Sequence, residues 1–510
     1  MASDMASEVS SEVSPEVSSN VASYVTSDTG RSSFGVELEF LIAVRFEKGP
    51  PPPGFERAPG RPIDCERGRS GEEVEKVIEK LLSATINEAL EGHRGDRVVA
   101  SAAELDVEVD NFHLWEYMEW GVKRDVSVVV DDNEWENALY WHDVEITSPA
   151  LYATENSFAE VRRVINALKA KWWVFAPESA GLHVHYSRGN DYIPFEHLRR
   201  IASFLYAGDP ILVQMHPERR RNQTEYCPSN RLYSGLAHGM TAQIAKGGYT
   251  EGIVDVEGEP FYPGDFAGQQ PEDRETRIRA PAFPTVFKRG SLPGYEFDQN
   301  EFNLNIHPLL IRTPTKEHAP NPDRSKPLSI PIGVLEILAC DNAPSISLLQ
   351  NNFIWERSAY NFEAYKGSTY YNNDGSKRTI EFRQAAGTLD ADEVIAYCKI
   401  AVGLADFASR TDPNELFKMA LDFSDAEENP KWYDVFDLLF DVGLAEEALV
   451  IQRGRAREHG IEIIDEVGGL YQETLPPPSN PRKRRFDEMK EYVSSLFNWG
   501  RRRSSSAEDE

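Results

Sequence analysis

The chain has 510 residues, of which 40% are hydrophobic and 11% aromatic, a composition typical of a globular protein rather than a disordered one. Its 84 acidic residues outnumber its 54 basic residues and give a net charge of −30, which argues against general nucleic-acid binding, because that binding depends on phosphate neutralisation. The four cysteines show no CxxC spacing and suit a reducing, cytoplasmic environment, and no signal-like or membrane-spanning apolar run is present.

Composition divides the chain into three parts. Residues 1–33 form a low-complexity Ser/Val/Glu/Ala tract that we expect to be disordered. One ordered domain is expected over residues 34–473, with an inserted loop region at about 247–326 that is rich in Pro, Gly and charge. Residues 474–510 begin Pro-rich and become basic, and the run Arg482–Arg485 is either a nuclear localisation signal or a solvated charge run.

Strands and helices alternate irregularly through the first half of the domain. Strand-like patterns cover residues 34–43, 97–101, 114–120, 127–131, 142–148, 172–176 and 182–187. Helical spacing predicts a helix over 72–90, another that begins at an N-cap at Asn156 or Ser157, and a third over 195–206. A further, separate helix is expected after Asp209-Pro210.

The second half of the domain ends in helices. A strand-like piece is predicted over 301–307, and the core is expected to resume at 328–340. Residues 360–365 and 378–383 are predicted to pair antiparallel around a turn at 372–375, followed by a helix capped by Asp390 or Asp392. More helix is predicted around 413–422 and 430–460. This order favours an α+β fold with one large, mainly antiparallel sheet flanked by helices.

Two predicted strands carry charged residues on one face. In the stretch 379–384, Glu381 and Arg383 share a face because strand side chains alternate, and Glu37 and Glu39 do the same near the start of the domain. Adjacent carboxylates repel one another unless a cation lies between them, and oxygen ligands suit Mg²⁺ or Mn²⁺. The alternative interpretation is a solvated strand face.

Four more residues are candidates for chemistry. Glu145 is an acid between Val144 and Ile146, and Asp125 is either a functional carboxylate or an ordinary turn aspartate. His183 and His185 share one strand face, and such a pair can bind zinc, supply one ligand with a phosphate contact, or form local hydrogen bonds.

Arg220 and Arg231 lie in short polar segments that can meet a carboxylate or phosphate, or end a surface helix. The sequence contains no Walker-type loop, no GxGxxG after a strand and no GxSxG elbow. A bound nucleotide would therefore depend on other groups.

Taken together, these stretches resemble the amidoligase family, within the carboxylate–amine ligase group that includes glutamine synthetase and glutamate–cysteine ligase. The matching stretches occur in the family's order: 34–40, 125–127, 144–149, 181–185, 220–227, 360–362, 379–384 and 387–390. The resemblance spans roughly residues 34–410, so both tails lie outside it, and the inserted region is larger than the family leads us to expect.

The resemblance implies a curved sheet that forms a funnel like that of glutamine synthetase, with nucleotide at one mouth and amine at the other. It implies two or more Mg²⁺ or Mn²⁺ ions held by Glu37, Glu39, Glu145, His183 and Glu381. His185 and Arg383 would face the phosphates of ATP, with Arg220 and Arg231 as further nucleotide contacts. Glutamine synthetase has more acidic ligands after its second strand, and Asp125 is our suggested substitute. Glu381, Arg383 and Asp125 are the residues expected in catalysis.

The function expected from this resemblance is ATP-dependent amide formation through an acyl phosphate, with small-molecule or peptide carboxylates and amines as substrates. One alternative is a non-catalytic descendant of the fold that acts as a binding or scaffold protein. Another is a zinc hydrolase built on His183 and His185, against which the paired acids count. Neither nucleic acid nor membrane is an expected partner, and the oligomeric state is left open.

Overall fold

The computed structural model describes residues 31–46, 59–99, 117–129, 139–189, 191–221, 226–247, 285–304, 306, 310, 325–352, 354, 357–366 and 379–461. The N-terminal tract up to residue 30, most of the predicted insertion and the C-terminal tail with Arg482–Arg485 lie outside these residues. The predicted turn at 372–375 lies outside them too.

The described residues contain a nine-stranded sheet. Its strands are β1 (Ser33–Arg45), β2 (Ile63–Asp64), β3 (Gly121–Lys123), β4 (Leu139–Thr147), β5 (Leu151–Tyr152), β6 (Val174–Phe175), β7 (Gly181–Ser187), β8 (Tyr360–Asn361) and β9 (Ile380–Ala386). The main path runs β3-β4-β1-β7-β9-β8, and the short strands β2, β5 and β6 pair with β1. All pairings are antiparallel except β1 with β2, so the predicted α+β class with a mainly antiparallel sheet is confirmed.

Helices pack around this sheet. Those of the first half are α1 (Gly71–Ala89), α2 (Glu155–Lys171), α3 (Phe195–Leu212), α4 (Glu218–Arg221), α5 (Asn230–Tyr233) and α6 (Ala242–Gly247). Those of the second half are α7 (Gln299–Leu304), α8 (Ile330–Leu338), α9 (Ala343–Gln350), α10 (Ala391–Arg410), α11 (Pro413–Glu428), α12 (Val435–Asp441) and α13 (Ala445–Glu458). Among the described helices, none combines the length and the apolar character that a membrane crossing needs.

Strand β1 is the centre of the sheet, and its two faces have opposite characters. Val36, Leu38 and Phe40 are fully buried in the main hydrophobic core, together with apolar residues of α1, α2, α3 and α10. Glu37 and Glu39 alternate with them and therefore point to the other face. One face of β1 thus anchors the helical layer, and the other carries the charge.

Several predicted helix starts are confirmed by their caps. Ser70 and Glu73 form a capping box at the start of α1, and the Asp390 carboxylate accepts hydrogen bonds from the first turn of α10. Helix α2 begins earlier than predicted, because Thr154, rather than Asn156 or Ser157, is its N-cap. The Thr154 hydroxyl accepts a hydrogen bond from the Ser157 amide at 3.2 Å.

The predicted helix break at Pro210 is wrong, since α3 continues to Leu212. Proline at this position lacks the donor for one helical hydrogen bond and its ring crowds the carbonyl four residues earlier, so neighbouring contacts must offset its cost. The neighbouring Asp209 carboxylate accepts hydrogen bonds from the Ser229 hydroxyl at 2.6 Å and from the Arg231 amide at 2.9 Å. These contacts hold the end of the helix inside the core.

The strand predicted over 301–307 is also wrong where it is described, because residues 299–304 form α7. The Asp298 carboxylate accepts a hydrogen bond from the Asn300 amide at 2.7 Å, and Phe302 is buried. A local cap and one apolar anchor therefore favour a helical turn over the strand-like alternation.

Three predicted strands before β4 are absent from the described parts of their ranges, where Arg97 forms only an isolated bridge with Leu151. Residues 117–120 and 127–129 form turns and irregular backbone. The edge strand is instead β3, and it ends where the Asp125 carboxylate accepts hydrogen bonds from Ser127. This side-chain turn competes with strand pairing.

Candidate functional site

Charged and imidazole side chains from four neighbouring strands lie on the face of the sheet that points away from the helical core. On β1 and β4, Glu39 lies directly opposite Glu145. On β1 and β7, Glu37 lies directly opposite His183. Directly opposed residues project to the same face, so the antiparallel register gathers groups that are far apart in the sequence.

The register continues the charged face across β7 and β9, where His185 lies opposite Glu381. Glu37, His185 and Glu381 form what we call the first cluster, because one ligand atom of each lies within 4.8 Å of the others. His185 Nε2 is 3.0 Å from Glu37 Oε1 and 3.8 Å from Glu381 Oε1. Thr379 Oγ1 lies 3.1 Å from His185 Nδ1, and Asn361 donates to Glu381 Oε2 at 3.0 Å.

His183 lies between the acids of two strands. Its Nδ1 atom is 3.1 Å from Glu37 Oε2 and 3.6 Å from Glu381 Oε1, and its Nε2 atom is 3.4 Å from Glu39 Oε1. The resemblance assigns a metal to His183 and phosphate to His185. The structure places His185 with two carboxylates in the first cluster and His183 as a bridge to Glu39.

A second cluster consists of Glu39, Asp125 and Glu145, whose ligand atoms also lie within 4.8 Å of one another. Asp125 reaches this position from the turn after β3, where its carboxylate accepts hydrogen bonds from the Ser127 amide at 2.8 Å and hydroxyl at 2.7 Å. Asp125 is half-buried, whereas Glu39 and Glu145 are buried. Asp125, our suggested additional acidic ligand, thus lies next to Glu39 and Glu145.

Positive charge at the first cluster comes from Arg383, which forms an ion pair with Glu381. Burial alone would raise the pKa of Glu381, but the charges of Arg383, His185 and His183 together lower it to about 2. Glu381 is therefore an ionised carboxylate under all ordinary conditions. Arg383 Nε also donates to the Tyr226 carbonyl at 3.4 Å, which fixes the direction of the guanidinium.

The two arginines outside β9 have different surroundings. Arg220 donates to the carbonyl oxygens of Arg383 at 2.7 Å and Gln384 at 3.4 Å, so it braces the strand that carries Glu381. Arg231 is buried and instead forms an ion pair with the exposed residue Glu427 at 2.9 Å in the helical layer. Arg220 therefore lies at the edge of the site. Arg231 is paired with Glu427 on α11 instead.

Glu145 has an unusual electrostatic position within the second cluster. Burial and the negative charge of Glu37 raise its pKa to about 7, although Lys123 has the opposite effect. Lys123 Nζ lies 2.9 Å from Glu145 Oε1, within ion-pair distance. This carboxyl therefore lacks the full compensation that burial of a charge requires.

The hydrogen bonding of two buried atoms bears on whether the clusters suit a metal ion. Among the described residues, neither His185 Nε2 nor Glu145 Oε1 has a hydrogen-bond partner with acceptable geometry, despite the short approaches of Glu37 and Lys123. Buried polar atoms without such partners are rare in native structures. Carboxylate oxygens with one imidazole are ligands that Mg²⁺ and Mn²⁺ accept, so both clusters fit these ions.

Gly181 is a site residue that the sequence did not single out. A Cβ atom at this position would lie 2.8 Å from His183 Nε2 and 3.3 Å from Glu39 Oε2. Its amide also donates to Glu39 Oε2 at 2.6 Å. A glycine two positions before the His-x-His pattern is the sequence signal for this residue, and Asn361 and Thr379 lie inside the stretches that carry the resemblance without an assigned role.

A cleft adjoins the first cluster at Glu37 and His185. Its walls are mainly apolar and include Phe34, Val98 and Tyr117, and its polar lining consists largely of Ser and Thr side chains. The cleft accordingly suits a neutral group better than a highly charged one.

These observations define an α+β protein whose antiparallel sheet holds two buried acidic clusters and one fixed arginine. Residues 31–232 match the family model described as "Putative amidoligase enzyme". The resemblance to the amidoligase family is thereby confirmed, and the family is one of enzymes whose description agrees with a ligase. The matched segment includes β1, β4 and β7, whereas β9 lies beyond it. No curated protein and no solved structure matched the chain.

Proposed function

We propose that the protein is an ATP-dependent carboxylate–amine ligase that forms an amide bond through an acyl phosphate. The observation that carries this proposal is the pair of acidic clusters joined by His183 on one sheet face, with Arg383 beside them. This arrangement is costly to bury without bound cations, and it has the charge that a metal–nucleotide complex requires.

Each cluster is suited to hold one Mg²⁺ or Mn²⁺ ion. The first cluster offers Glu37, His185 and Glu381, and the second offers Glu39, Asp125 and Glu145. When bound, these ions neutralise the charge of the phosphates and of the reacting carboxylate. The funnel shape that the resemblance implies belongs to this proposal, with substrate entry from the exposed side of the charged face.

The chemistry proceeds in two steps. The substrate carboxylate attacks the γ-phosphorus of ATP, which forms an acyl phosphate and releases ADP. An amine then attacks the acyl carbon, expels inorganic phosphate and loses a proton, which a carboxylate must accept. Asp125, the half-buried member of the second cluster, is our candidate for this acceptor.

The protein's own contribution is positioning and charge. Arg383 is held by Glu381 and Tyr226, so its guanidinium is already oriented towards developing negative charge. Arg220 supports this orientation indirectly through the backbone of β9. Orientation that precedes the reaction lowers the barrier because no reorganisation is needed when charge moves.

The cleft beside the first cluster is our candidate site for the nucleotide base. Its mainly neutral lining suits an aromatic ring, and its contact with Glu37 and His185 would direct the phosphates towards the metal site. The carboxylate and amine substrates, whether small molecules or peptides, would approach the charged face beyond it.

A test of the proposal is calorimetric titration of ATP in the presence of Mg²⁺. We expect the wild type to bind, and Glu381→Gln to lose at least about 100-fold in affinity because it removes a carboxylate of the first cluster. Glu336→Gln is the matched control, since Glu336 is a buried carboxyl on α8 in a different environment. Lack of Mg²⁺-dependent ATP binding by the wild type would contradict the proposal.

The substrates require a second measurement. A screen of carboxylates and amines for ATP-dependent phosphate release identifies pairs that react. A product amide, detected by mass spectrometry and absent with Glu381→Gln, would distinguish ligation from simple ATP hydrolysis.

A further inference from the structure

A lysine next to the second cluster has no role in the chemistry proposed above. Lys123 lies on the edge strand β3 directly opposite Glu145 on β4, so the two side chains share the charged face. Its Nζ atom is 2.9 Å from Glu145 Oε1. The ammonium group therefore stands beside the carboxylates that would hold the second metal ion.

The two clusters differ in how their basic neighbour is held. The Arg383 side chain at the first cluster is only 13% exposed and is fixed by Glu381 and the Tyr226 carbonyl. The Lys123 side chain at the second cluster is 56% exposed, whereas its partner Glu145 is 9% exposed. The Arg383 guanidinium is therefore held in place by protein contacts, whereas the Lys123 ammonium can reach solvent.

Lys123 and Glu145 lie within ion-pair distance, but their alignment is poor. Within the part of the chain that the structure describes, Glu145 Oε1 has no hydrogen-bond partner of acceptable geometry, although Lys123 Nζ is close. A pair with a largely exposed member contributes little stability, so the ammonium can leave at small cost. A divalent ion would contact three carboxylates, whereas the Lys123 ammonium lies within ion-pair distance of Glu145.

We infer that Lys123 is a tethered counter-ion that takes the place of the second divalent cation and weakens the binding of that ion. This inference rests on the proposed function, because it assumes that the clusters bind metal. The first cluster would fill first, and the second ion would bind only as the Lys123 ammonium turns towards solvent.

The inference is tested by titration of the wild type with Mn²⁺, with free ion measured by electron paramagnetic resonance. We expect one tight and one weak binding step in the wild type. Lys123→Met should tighten the weak step about tenfold and leave the tight step unchanged, because it removes a positive charge beside the second cluster. Lys123→Arg keeps the charge and should keep the weak step.

Lys76→Met is the matched control, because Lys76 is an exposed lysine on α1 that pairs with Glu72. Equal weak-step constants for the wild type and Lys123→Met would overturn the inference alone, as would two equally tight steps in the wild type. Absence of any Mn²⁺ binding in every variant would overturn the proposed function as well. Circular dichroism establishes that each variant is folded.

Discussion

Two buried acidic regions of this protein have opposite organisation. Glu160 on α2 is fully buried, and its carboxylate contacts both terminal nitrogens of the Arg97 guanidinium. It also accepts hydrogen bonds from the Trp120 indole at 2.7 Å and from the Gly95 amide. On the charged face of the sheet, by contrast, carboxylates lie close to other carboxylates. The first carboxylate is satisfied by protein donors, whereas the others lie next to one another and, under the proposed function, would share bound cations.

The comparison distinguishes buried carboxylates that stabilise the fold from buried carboxylates whose arrangement is typical of a binding site. A buried carboxylate with complete protein partners contributes to the fold, and its removal leaves a buried charge behind. A crowded group of buried carboxylates opposes the fold, and its retention points to a ligand. Substitutions in the two regions should therefore have different effects on stability and on Mn²⁺ binding.

The largest effect is expected in the satisfied region. Glu160→Gln leaves the guanidinium of Arg97 buried without its counter-charge, so we expect a loss of about 3–5 kcal/mol in the free energy of unfolding. Urea denaturation measures this loss. Mn²⁺ affinity of the folded variant should remain that of the wild type, and a selective loss of Mn²⁺ binding would contradict the structural role.

The opposite result is expected on the charged face. Glu37→Gln removes a ligand of the first cluster and should weaken Mn²⁺ binding about 100-fold, which is about 3 kcal/mol. Because Glu37 lies close to other carboxylates, the stability of the metal-free protein should stay equal or rise. Titration calorimetry and thermal unfolding of the same sample check the two statements. A destabilised variant with normal Mn²⁺ binding would remove the distinction between the regions.

The buried carboxyl group of Glu336 should make the stability of the protein depend on pH. Burial raises its pKa to about 7, while its hydrogen bond from the Ala242 amide at 2.8 Å has the opposite effect. The folded state therefore keeps a proton that the unfolded state releases near pH 4.5, so the contribution of Glu336 to stability is fully present below pH 4.5 and is lost as the pH rises to about 7.

Glu336→Gln should remove this part of the pH dependence and stabilise the protein by about 1–3 kcal/mol at pH 8 relative to the wild type. Urea denaturation of both proteins at pH 4.5 and pH 8 gives the difference. An equal stability difference at the two pH values would show that Glu336 does not titrate in this interval.

The smallest effect is expected from a single methyl group. Gly181→Ala places a Cβ atom 2.8 Å from His183 Nε2, so we expect a shift of the histidine and about a tenfold loss of Mn²⁺ affinity. Gly35→Ala is the control, because its Cβ atom would lie 3.8 Å from Ser148 Oγ, an ordinary contact distance. Similar Mn²⁺ affinities for the two variants would show that close packing at Gly181 is unimportant.

Much of the charged face was predictable from strand alternation. Glu37, Glu39 and Glu381 follow from the two-residue period, since each is an acid between two apolar neighbours. The register between strands was not predictable from the residues alone, because it depends on contacts between segments hundreds of positions apart. The family resemblance supplied that proximity for Glu37 and Glu381, and the structure agrees.

Other features depended on local competition that the sequence pattern does not reveal. Pro210 remains inside a helix whose end is held by the buried contacts of Asp209, and Asp125 reaches the site because a side-chain turn ends β3. Arg231 was a candidate phosphate contact from its type alone, yet its partner Glu427 is nearly 200 positions away. Such long-range ion pairs have no signature in local sequence.

The position of β1 has a consequence for how the chain acquires its activity. Glu37 is made early in synthesis, but its partner Glu381 arrives only after most of the chain has left the ribosome. An ion at the first cluster would therefore act as a non-covalent cross-link between the two ends of the domain. It would close a loop of more than 340 residues and oppose unfolding by an amount that grows with ion concentration.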